Sequence, residues 1–288
     1  MANNTEGWRL DRRQRTWAGE VAYGVFGEGP PVVLIHGTPS RSYIWRKVAP
    51  TLAGRFSVYV FDLLGYGDSR PSGDDISIAA QARALAELLE QWELDSPAVA
   101  GHDIGGAIAL RAHLLESVRF DRMALLDAVV LRSWITEASR HVQAHMNAYH
   151  TMPTHIYEQM VAAHLRTTVN HPMDEDAFEA YMNQWRGESG QKDYLQKVAQ
   201  FDEKLTEEFE PLLGSVRVPV KIIWGEQDAW LDPAIARRLH ELLPTSAGPT
   251  LIPEAGHFVM EDAPEEVARE LLGFFAGERS PQQAEESI

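Results

Sequence analysis

The sequence predicts an α/β fold in which a mostly parallel sheet is covered by helices on both faces and interrupted by a helical insertion. Short apolar runs, rich in β-branched residues and ended by turn residues, alternate with segments whose apolar residues recur at helical spacing. Strands that alternate with helices form parallel sheets covered on both faces. Residues 132–212 break the alternation, because their pattern is mostly helical and contains no convincing strand.

Each element follows from an apolar run and its spacing. PVVLIHG is the first run expected to form a buried strand, and ISIAAQARALAELLEQWEL repeats its apolar positions as a helix does. Strands are predicted over 31–37, 56–62, 97–103, 122–129, 220–228 and 250–257. Helices are predicted over 76–94, 104–115, 233–243 and 264–276.

The insertion divides the chain into two predicted units. Residues 1–131 and 213–288 are expected to form the core that contains the sheet, and residues 132–212 are expected to form a helical lid. The segment LLGSVRVP (212–219) returns the chain from the lid to the sheet.

Composition excludes several classes of function. The 288 residues include 26 basic and 42 acidic residues, which gives a formal net charge of −16 at pH 7. Such an acidic surface repels nucleic acid and anionic lipid, so neither is expected as a partner. The chain has no cysteine, which excludes disulfides, thiol catalysis and thiolate metal sites. No apolar run approaches a membrane span and no secretory leader is recognisable, so a cytoplasmic protein is expected.

The stretch AGHDIGG (100–106) has the Gly-x-nucleophile-x-Gly pattern of a sharp turn between a strand and a helix. Its central residue is Asp103, and three glycines leave room where the strand end and the helix start crowd together. The turn puts the carboxylate at a helix N-terminus, whose dipole favours an anion. The same pattern also suits a strand end followed by a helix cap, so the partners of Asp103 decide between the two interpretations.

A carboxylate nucleophile suits a limited set of reactions. Attack on an ester or amide would produce a high-energy anhydride, whereas attack on a saturated carbon produces an ordinary ester. That carbon must carry a leaving group or a strained oxygen, as in alkyl halides and epoxides. An aspartate that is already ionised needs no base for this attack.

Further motifs follow other predicted strands and supply partners for Asp103. Asp228 ends KIIWGEQD and His257 ends LIPEAGH, so the order along the chain is nucleophile, acid, histidine. HGTP (36–39) follows an earlier strand, where an oxyanion-hole N–H is expected. Ligands of parallel sheets bind at the carboxyl ends of the strands, so these groups are expected to meet there.

These motifs resemble those of the α/β-hydrolase fold, in its aspartate-nucleophile branch of epoxide hydrolases and haloalkane dehalogenases. The resemblance covers roughly 20–131 and 213–276. HGTPSRSYIWR resembles the strand–helix turn of the dehalogenases, LLGYGDS (63–69) is shared by both groups, and GHFVMEDAPEEV resembles the histidine segment of both. The lid does not resemble either group closely.

The resemblance implies a role for each charged residue. Asp103 would be the nucleophile, His257 the base and Asp228 the acid that orients it. Some dehalogenases of this branch carry the acid after the preceding strand, where this chain has Asp127, so Asp127 is the alternative acid. Both carboxylates could also be close enough to His257 to share the task.

The resemblance also implies that the backbone N–H groups of Thr38 and Ile104 form the oxyanion hole. The side chains of these residues depart from the dehalogenase pattern, which has Trp after the nucleophile and usually Asn in the turn after the first strand. A halide needs such N–H donors, whereas the alkoxide of an opening epoxide needs an acidic O–H such as that of tyrosine. The departures therefore favour epoxide hydrolysis.

The lid offers hydroxyl and indole groups to the leaving group. Tyr149 and Tyr181 are candidate donors, and Trp134 and Trp185 are candidate donors or walls. Phe201 stands near the expected position of the lid tyrosine that epoxide hydrolases carry, which weakens the epoxide interpretation. The lid histidines lack a partner at metal-ligand spacing, so neither a metal nor another cofactor is expected.

The sequence thus predicts a cofactor-independent hydrolase of a small molecule, with epoxide hydrolysis as the first hypothesis and dehalogenation as the alternative. A hydrolase-fold protein that only binds a small molecule is the alternative from another class. The substrate and the oligomeric state stay open.

Overall fold

The computed structural model describes residues 8–277, and a nine-stranded sheet lies at its centre. The strands are β1 (Arg12–Thr16), β2 (Gly19–Phe26), β3 (Pro31–Ile35), β4 (Ser57–Phe61), β5 (Arg70–Pro71), β6 (Ala98–His102), β7 (Met123–Leu126), β8 (Val220–Gly225) and β9 (Ser246–Ile252). They are ordered β1-β2-β4-β3-β6-β7-β8-β9, and β5 pairs with β2. β2 is antiparallel to its neighbours, while every pair from β4 to β9 is parallel. The predicted, mostly parallel sheet is confirmed.

Helices connect the strands and flank the sheet, as the helical spacing predicts. Within residues 8–277 they are α1 (Ala49–Leu52), α2 (Ile78–Gln91), α3 (Ile104–Leu115), α4 (Glu137–Ala144), α5 (Met146–His150), α6 (Thr154–Arg166), α7 (Glu175–Met182), α8 (Gly187–Ala199), α9 (Lys204–Glu207), α10 (Ala234–Leu242), α11 (Val259–Asp262) and α12 (Pro264–Phe275). α2 packs on α3, α1 on α12, and α10 on β8 and β9. α2 begins at a cap in which the Ser77 side chain accepts the N–H of Ala80.

The strands found from sequence are the parallel ones, most of which are largely buried. Every residue of β6 and β7 is buried, and such strands read as continuous apolar runs. β1, β2 and β5 are absent from the prediction, and the edge strand β1 (RRQRT) is mostly exposed and charged. Its hairpin with β2 is closed by the pairing of Thr16 with Gly19.

All six predicted strands are too long at their carboxyl ends, and β3 and β4 end at Ile35 and Phe61. β6, β7, β8 and β9 end at His102, Leu126, Gly225 and Ile252. The chain stays buried for several residues beyond some of these ends, as in 127–131, so apolar character alone does not mark the boundary. The candidate catalytic residues therefore lie in the loops that follow the strands.

The segment between β7 and β8 is helical throughout its regular structure, from α4 to α9, with no strand among these described residues. α8 packs against α4, α5 and α6. The division into a core (1–131 and 213–288) and a lid (132–212) stays a prediction, and residues 1–7 and 278–288 lie outside the described residues. No helix between residues 8 and 277 is long and apolar enough to cross a membrane.

Candidate active site

Asp103 lies in the tight turn between β6 and α3. Its backbone has φ 53° and ψ −124°, a conformation that residues other than glycine rarely adopt. The Asp103 N–H donates to the Leu126 carbonyl at 3.1 Å, and the Asp103 carbonyl accepts from the Gly106 N–H at 3.0 Å. A side chain at Gly105 would lie 2.6 Å from the Ile35 carbonyl oxygen, so the close approach of α3 to β3 requires glycine.

The Asp103 carboxylate is buried between two of the groups predicted to meet it. The Thr38 N–H donates to Asp103 Oδ2 at 2.7 Å. His257 Nε2 lies 3.6 Å from Asp103 Oδ1, beyond the range of a good hydrogen bond. Ile104, the other residue predicted for the oxyanion hole, is buried at the first position of α3. The structure therefore brings these four residues together.

His257 is fully buried and is oriented by Asp228. Its Nδ1–H donates to Asp228 Oδ2 at 3.0 Å. The other oxygen of Asp228 accepts the N–H groups of Trp230 at 2.8 Å and Leu231 at 3.0 Å. Both carboxylate oxygens are thus bonded, which fixes the acid and, through it, the imidazole.

The electrostatics of this pair favour a charged histidine beside a charged aspartate. Burial alone would lower the pKa of His257, but the negative charges of Asp228 and Asp103 outweigh it and hold the pKa well above its usual value. Burial alone would raise the pKa of Asp228, but the charge and the hydrogen bond of His257 lower it. While Asp103 is unmodified, these neighbouring charges therefore favour the imidazolium form of His257.

Asp127, the alternative acid, is fully buried beside the same pair. Its Oδ1 accepts the Gly225 N–H at 2.8 Å. Asp127, Asp228 and His257 each offer one ligand atom within 4.8 Å of the others, the only such group found among residues 8–277. A metal ion in this group would have to replace the hydrogen bond between Asp228 and His257, so the geometry favours a hydrogen-bonded pair over a set of metal ligands. The structure brings both acids to the histidine, and Asp228 bonds Nδ1.

Two buried histidines support the backbone around the site. His36 Nδ1–H donates to the Gly37 carbonyl at 2.8 Å, and its Nε2 accepts the Leu63 N–H at 2.9 Å. His102 Nε2–H donates to the His257 carbonyl at 2.9 Å. Burial lowers the pKa of His36 to about 4 and that of His102 to about 3, so both rings are neutral at neutral pH.

Tyr66 is a residue of the site that sequence reasoning missed. Its hydroxyl lies close enough to Thr38, Asp103 and Tyr194 to interact with each of them electrostatically. Burial raises the pKa of Tyr66, so the hydroxyl keeps its proton. The available signal was its position in LLGYGDS, in the loop after β4 at the carboxyl edge of the sheet.

The two tryptophans predicted as lid contacts use their N–H groups elsewhere. Trp134 Nε1–H donates to Thr206 Oγ1 at 3.1 Å. Trp185 Nε1–H donates to the Pro39 carbonyl at 2.9 Å, and its ring packs edge-on against Tyr66. Of the two alternatives for these indoles, the contacts favour walls over donors.

The two predicted lid tyrosines have different surroundings. Tyr181 is fully buried, and its hydroxyl donates to Glu261, which also pairs with Arg46. This bond occupies the hydroxyl, so the geometry does not favour Tyr181 as the donor to the leaving group. Tyr149 is partly buried and lines a cavity of about 440 Å³ together with Glu137, Ala138, Ser139, His141, Val142, Met160, His164, Tyr194 and Val198.

A stack of three rings connects this cavity to His257. The Trp230 ring lies on the His257 ring, with centroids 5.1 Å apart and planes 19° apart. His164 lies on Trp230 at 4.2 Å and 14°. Trp230 Nε1–H also donates to Thr167 Oγ1 at 2.9 Å. The stack covers His257 and joins it to α6 and the residue that follows it.

Comparison with known proteins identifies the family. Residues 30–264 match the family model described as the alpha/beta hydrolase fold. The chain belongs to the α/β-hydrolase family. A crystal structure of an α/β-hydrolase fold protein from Burkholderia ambifaria is 34% identical to it, covers 92% of this chain and 98% of that chain, and superposes with a TM-score of 0.88.

Haloalkane dehalogenases are also similar to this α/β-hydrolase. Haloalkane dehalogenase 2 of Mycobacterium tuberculosis (strain ATCC 25618 / H37Rv) is 28% identical over 279 residues, which cover 89% of this chain and 92% of that protein. The structure of haloalkane dehalogenase DbeA from Bradyrhizobium elkani USDA94 is 22% identical, covers 92% of this chain and 97% of that chain, and has a TM-score of 0.77. The predicted hydrolytic enzyme of this superfamily is therefore confirmed.

Proposed function

We propose that this α/β-hydrolase opens epoxides through a covalent ester between the substrate carbon and Asp103. The position of the Asp103 carboxylate carries the proposal, since Thr38 holds Oδ2 at 2.7 Å and His257 stands 3.6 Å from Oδ1. A carboxylate held in this way attacks saturated carbon without a base. His257, oriented by Asp228 at 3.0 Å, is then available for a second step.

In the first step an Asp103 oxygen bonds to an epoxide carbon, and the C–O bond of the ring breaks. The ring oxygen becomes an alkoxide and takes a proton from the Tyr66 hydroxyl, which lies near Thr38 and Asp103. Because an alkoxide is a strong base, a tyrosine whose pKa is raised by burial can still donate to it. The proton of Tyr66 is replaced, through solvent, from the His257 imidazolium.

Ester formation converts His257 from an acid into a base. The negative charge of Asp103 is one of the causes that raise the pKa of His257, and the ester carries no charge. The pKa therefore falls when the ester forms, and the neutral ring can remove a proton from water. Hydroxide attacks the Asp103 carboxyl carbon while the N–H groups of Thr38 and Ile104 hold the oxyanion. Collapse releases the diol, whose alkoxide takes the proton of the re-formed Asp103 acid.

Dehalogenation is the second candidate, because Haloalkane dehalogenase 2 is a relative over most of the chain. A halide ion needs N–H donors, yet the indole N–H groups of Trp134 and Trp185 are bonded to protein oxygens and Ile104 has no side-chain donor. These contacts favour an epoxide. The two reactions differ in protons: an alkyl halide and water yield an alcohol, a halide ion and one proton, whereas an epoxide and water yield only a diol.

A panel of epoxides and alkyl halides in weakly buffered solution tests this choice. Diol formation without proton release supports epoxide hydrolysis, and one halide ion with one proton per turnover supports dehalogenation. Binding without turnover of either class would leave the small-molecule binding protein as the better description.

The His257→Ala variant tests the two-step mechanism. Asp103 still attacks, but no base activates water, so the variant should consume about one substrate per site and then stall. Intact-protein mass spectrometry should find an adduct with the mass of the substrate (for an alkyl halide, of its alkyl group), on the peptide that contains Asp103. His155→Ala, at an exposed lid histidine, is the matched control and should turn over normally.

An absent adduct, or one on another peptide, would contradict the role of Asp103. Heavy-oxygen water adds a second readout. In a single turnover the covalent route labels Asp103 and not the first product, whereas direct attack of water with Asp103 as base would label the product at once.

A further inference from the structure

Asp127 presents a buried carboxyl oxygen that lacks a donor. The residue is fully buried, at the end of β7, and Oδ1 accepts the Gly225 N–H. Oδ2 is buried as well, and no N–H or O–H group of residues 8–277 donates to it. A buried carboxylate oxygen without a donor is costly, whereas a protonated one is itself a donor and needs only an acceptor.

The carboxylate of Asp228 is a nearby acceptor. The two carboxyl groups lie in one group of atoms spanning no more than 4.8 Å, together with His257. Two buried negative charges at this distance repel each other, and one imidazolium cannot neutralise both beside Asp103. Asp228 already accepts three N–H bonds, from Trp230, Leu231 and His257, so the negative charge is more stable there.

We propose that Asp127 is a protonated carboxylic acid whose O–H donates to Asp228, and that it is a positioning residue for His257. The two side chains then share one proton and one negative charge, as paired carboxyl groups do. Burial, and secondly the charge of Asp228, raise the pKa of Asp127 well above its usual value, in agreement with this geometry. The positioning role rests on the proposed function, whereas the shared proton does not.

The O–H of Asp127 determines how strongly Asp228 draws the proton of His257. A hydrogen bond from Asp127 spreads the negative charge of the Asp228 carboxylate. His257 is then a weaker base than it would be beside an Asp228 that lacked this bond. Asparagine at 127 keeps a donor for Asp228 and an acceptor for Gly225. Alanine removes both, and leaves the Gly225 N–H without its partner.

Infrared spectroscopy at neutral pH tests the proton directly, without any substrate. The spectrum should contain a carboxylic-acid C=O band that disappears in Asp127→Asn. Asp95→Asn, at an exposed aspartate, is the matched control and should leave the band in place. If Asp127→Asn removes no such band, the carboxyl group is ionised and the proposal is wrong.

The rate of ester hydrolysis and its pH profile test the positioning role. We expect the rate of ester hydrolysis to fall a few-fold in Asp127→Asn. In Asp127→Ala it should fall about ten- to a hundredfold, because a hydrogen bond to a charged group is lost. In Asp127→Ala the profile should also shift to higher pH. Asp228→Asn should lose about 10⁴-fold, as in a comparable triad.

Equal damage from Asp127→Asn and Asp228→Asn would overturn the proposal, because it would mean that an ionised Asp127 orients His257. If instead no epoxide or halide forms an ester, the proposed function fails while the infrared result still decides the protonation of Asp127.

Discussion

The glycine before Thr38 leaves the space that the nucleophile occupies. A Cβ on Gly37 would lie 2.4 Å from both Cβ and Oδ2 of Asp103. Ordinary contact begins at 3.4 Å, so in Gly37→Ala the Asp103 side chain must move by about 1 Å. The hydrogen bond from the Thr38 N–H to Asp103 Oδ2 is 2.7 Å long, and a shift of that size along it would break it.

The displacement should slow ester formation far more than it destabilises the fold. A misplacement of about 1 Å can cost about 10²-fold in rate, and overpacking costs about 1–3 kcal/mol of unfolding free energy. Rapid-quench mass spectrometry of the ester gives the first quantity, and urea unfolding gives the second. The site thus predicts a folded protein with a slow first step.

Gly73→Ala is the matched control, because a Cβ at Gly73 meets no atom within 4 Å. It should form the ester at the wild-type rate. A Gly37→Ala variant that forms the ester within threefold of wild type would refute the geometric argument, since the carboxylate would then tolerate the shift.

Two further predictions concern histidines. Burial lowers the pKa of His36 to about 4, so as pH falls the unfolded chain takes up a proton on this histidine before the folded protein does. The unfolding free energy should therefore fall by about 3 kcal/mol as pH drops from about 6.5 to 4. Urea titrations of wild type and His36→Gln measure this as the difference between their pH dependences, and parallel curves would contradict it. The Trp230 ring stacks on His257, so Trp230→Ala should slow ester hydrolysis by at most about tenfold. Trp230→Phe keeps an aromatic ring but loses the bond to Thr167, and it should slow hydrolysis less. Pre-steady-state decay of the ester compares the two variants, and equal rates would exclude a contribution from stacking.

The sequence predicts the parallel strands because most of them are largely buried and therefore form continuous apolar runs. β1 leaves none, since it lies at the edge with exposed Arg side chains. The charged residues of the site were predictable for a related reason. Asp103, Asp228 and His257 each follow a parallel strand, and parallel strands end at one edge of the sheet.

Residues that depend on side-chain direction were not predictable. Nothing in the lid sequence indicates that Tyr181 turns to Glu261, which lies 80 residues further along the chain. Tyr66 could be found only once the loop after β4 was known to reach the Thr38 side chain. The choice between Asp127 and Asp228 likewise depends on a distance of a few ångströms between two loops.

The proposed chemistry and the proposed protonation of Asp127 support each other through the charge of the buried site. In the free enzyme, ionised Asp103 and Asp228 face one imidazolium at His257, which leaves one net negative charge. In the ester, Asp103 is neutral and His257 has given up its proton, so the net charge is again one negative. When the substrate is an epoxide, its alkoxide takes up the proton that His257 loses. When the substrate is an alkyl halide, the halide ion leaves unprotonated and the proton goes to solvent. An ionised Asp127 would add a second buried negative charge at every stage, and its desolvation would destabilise the site.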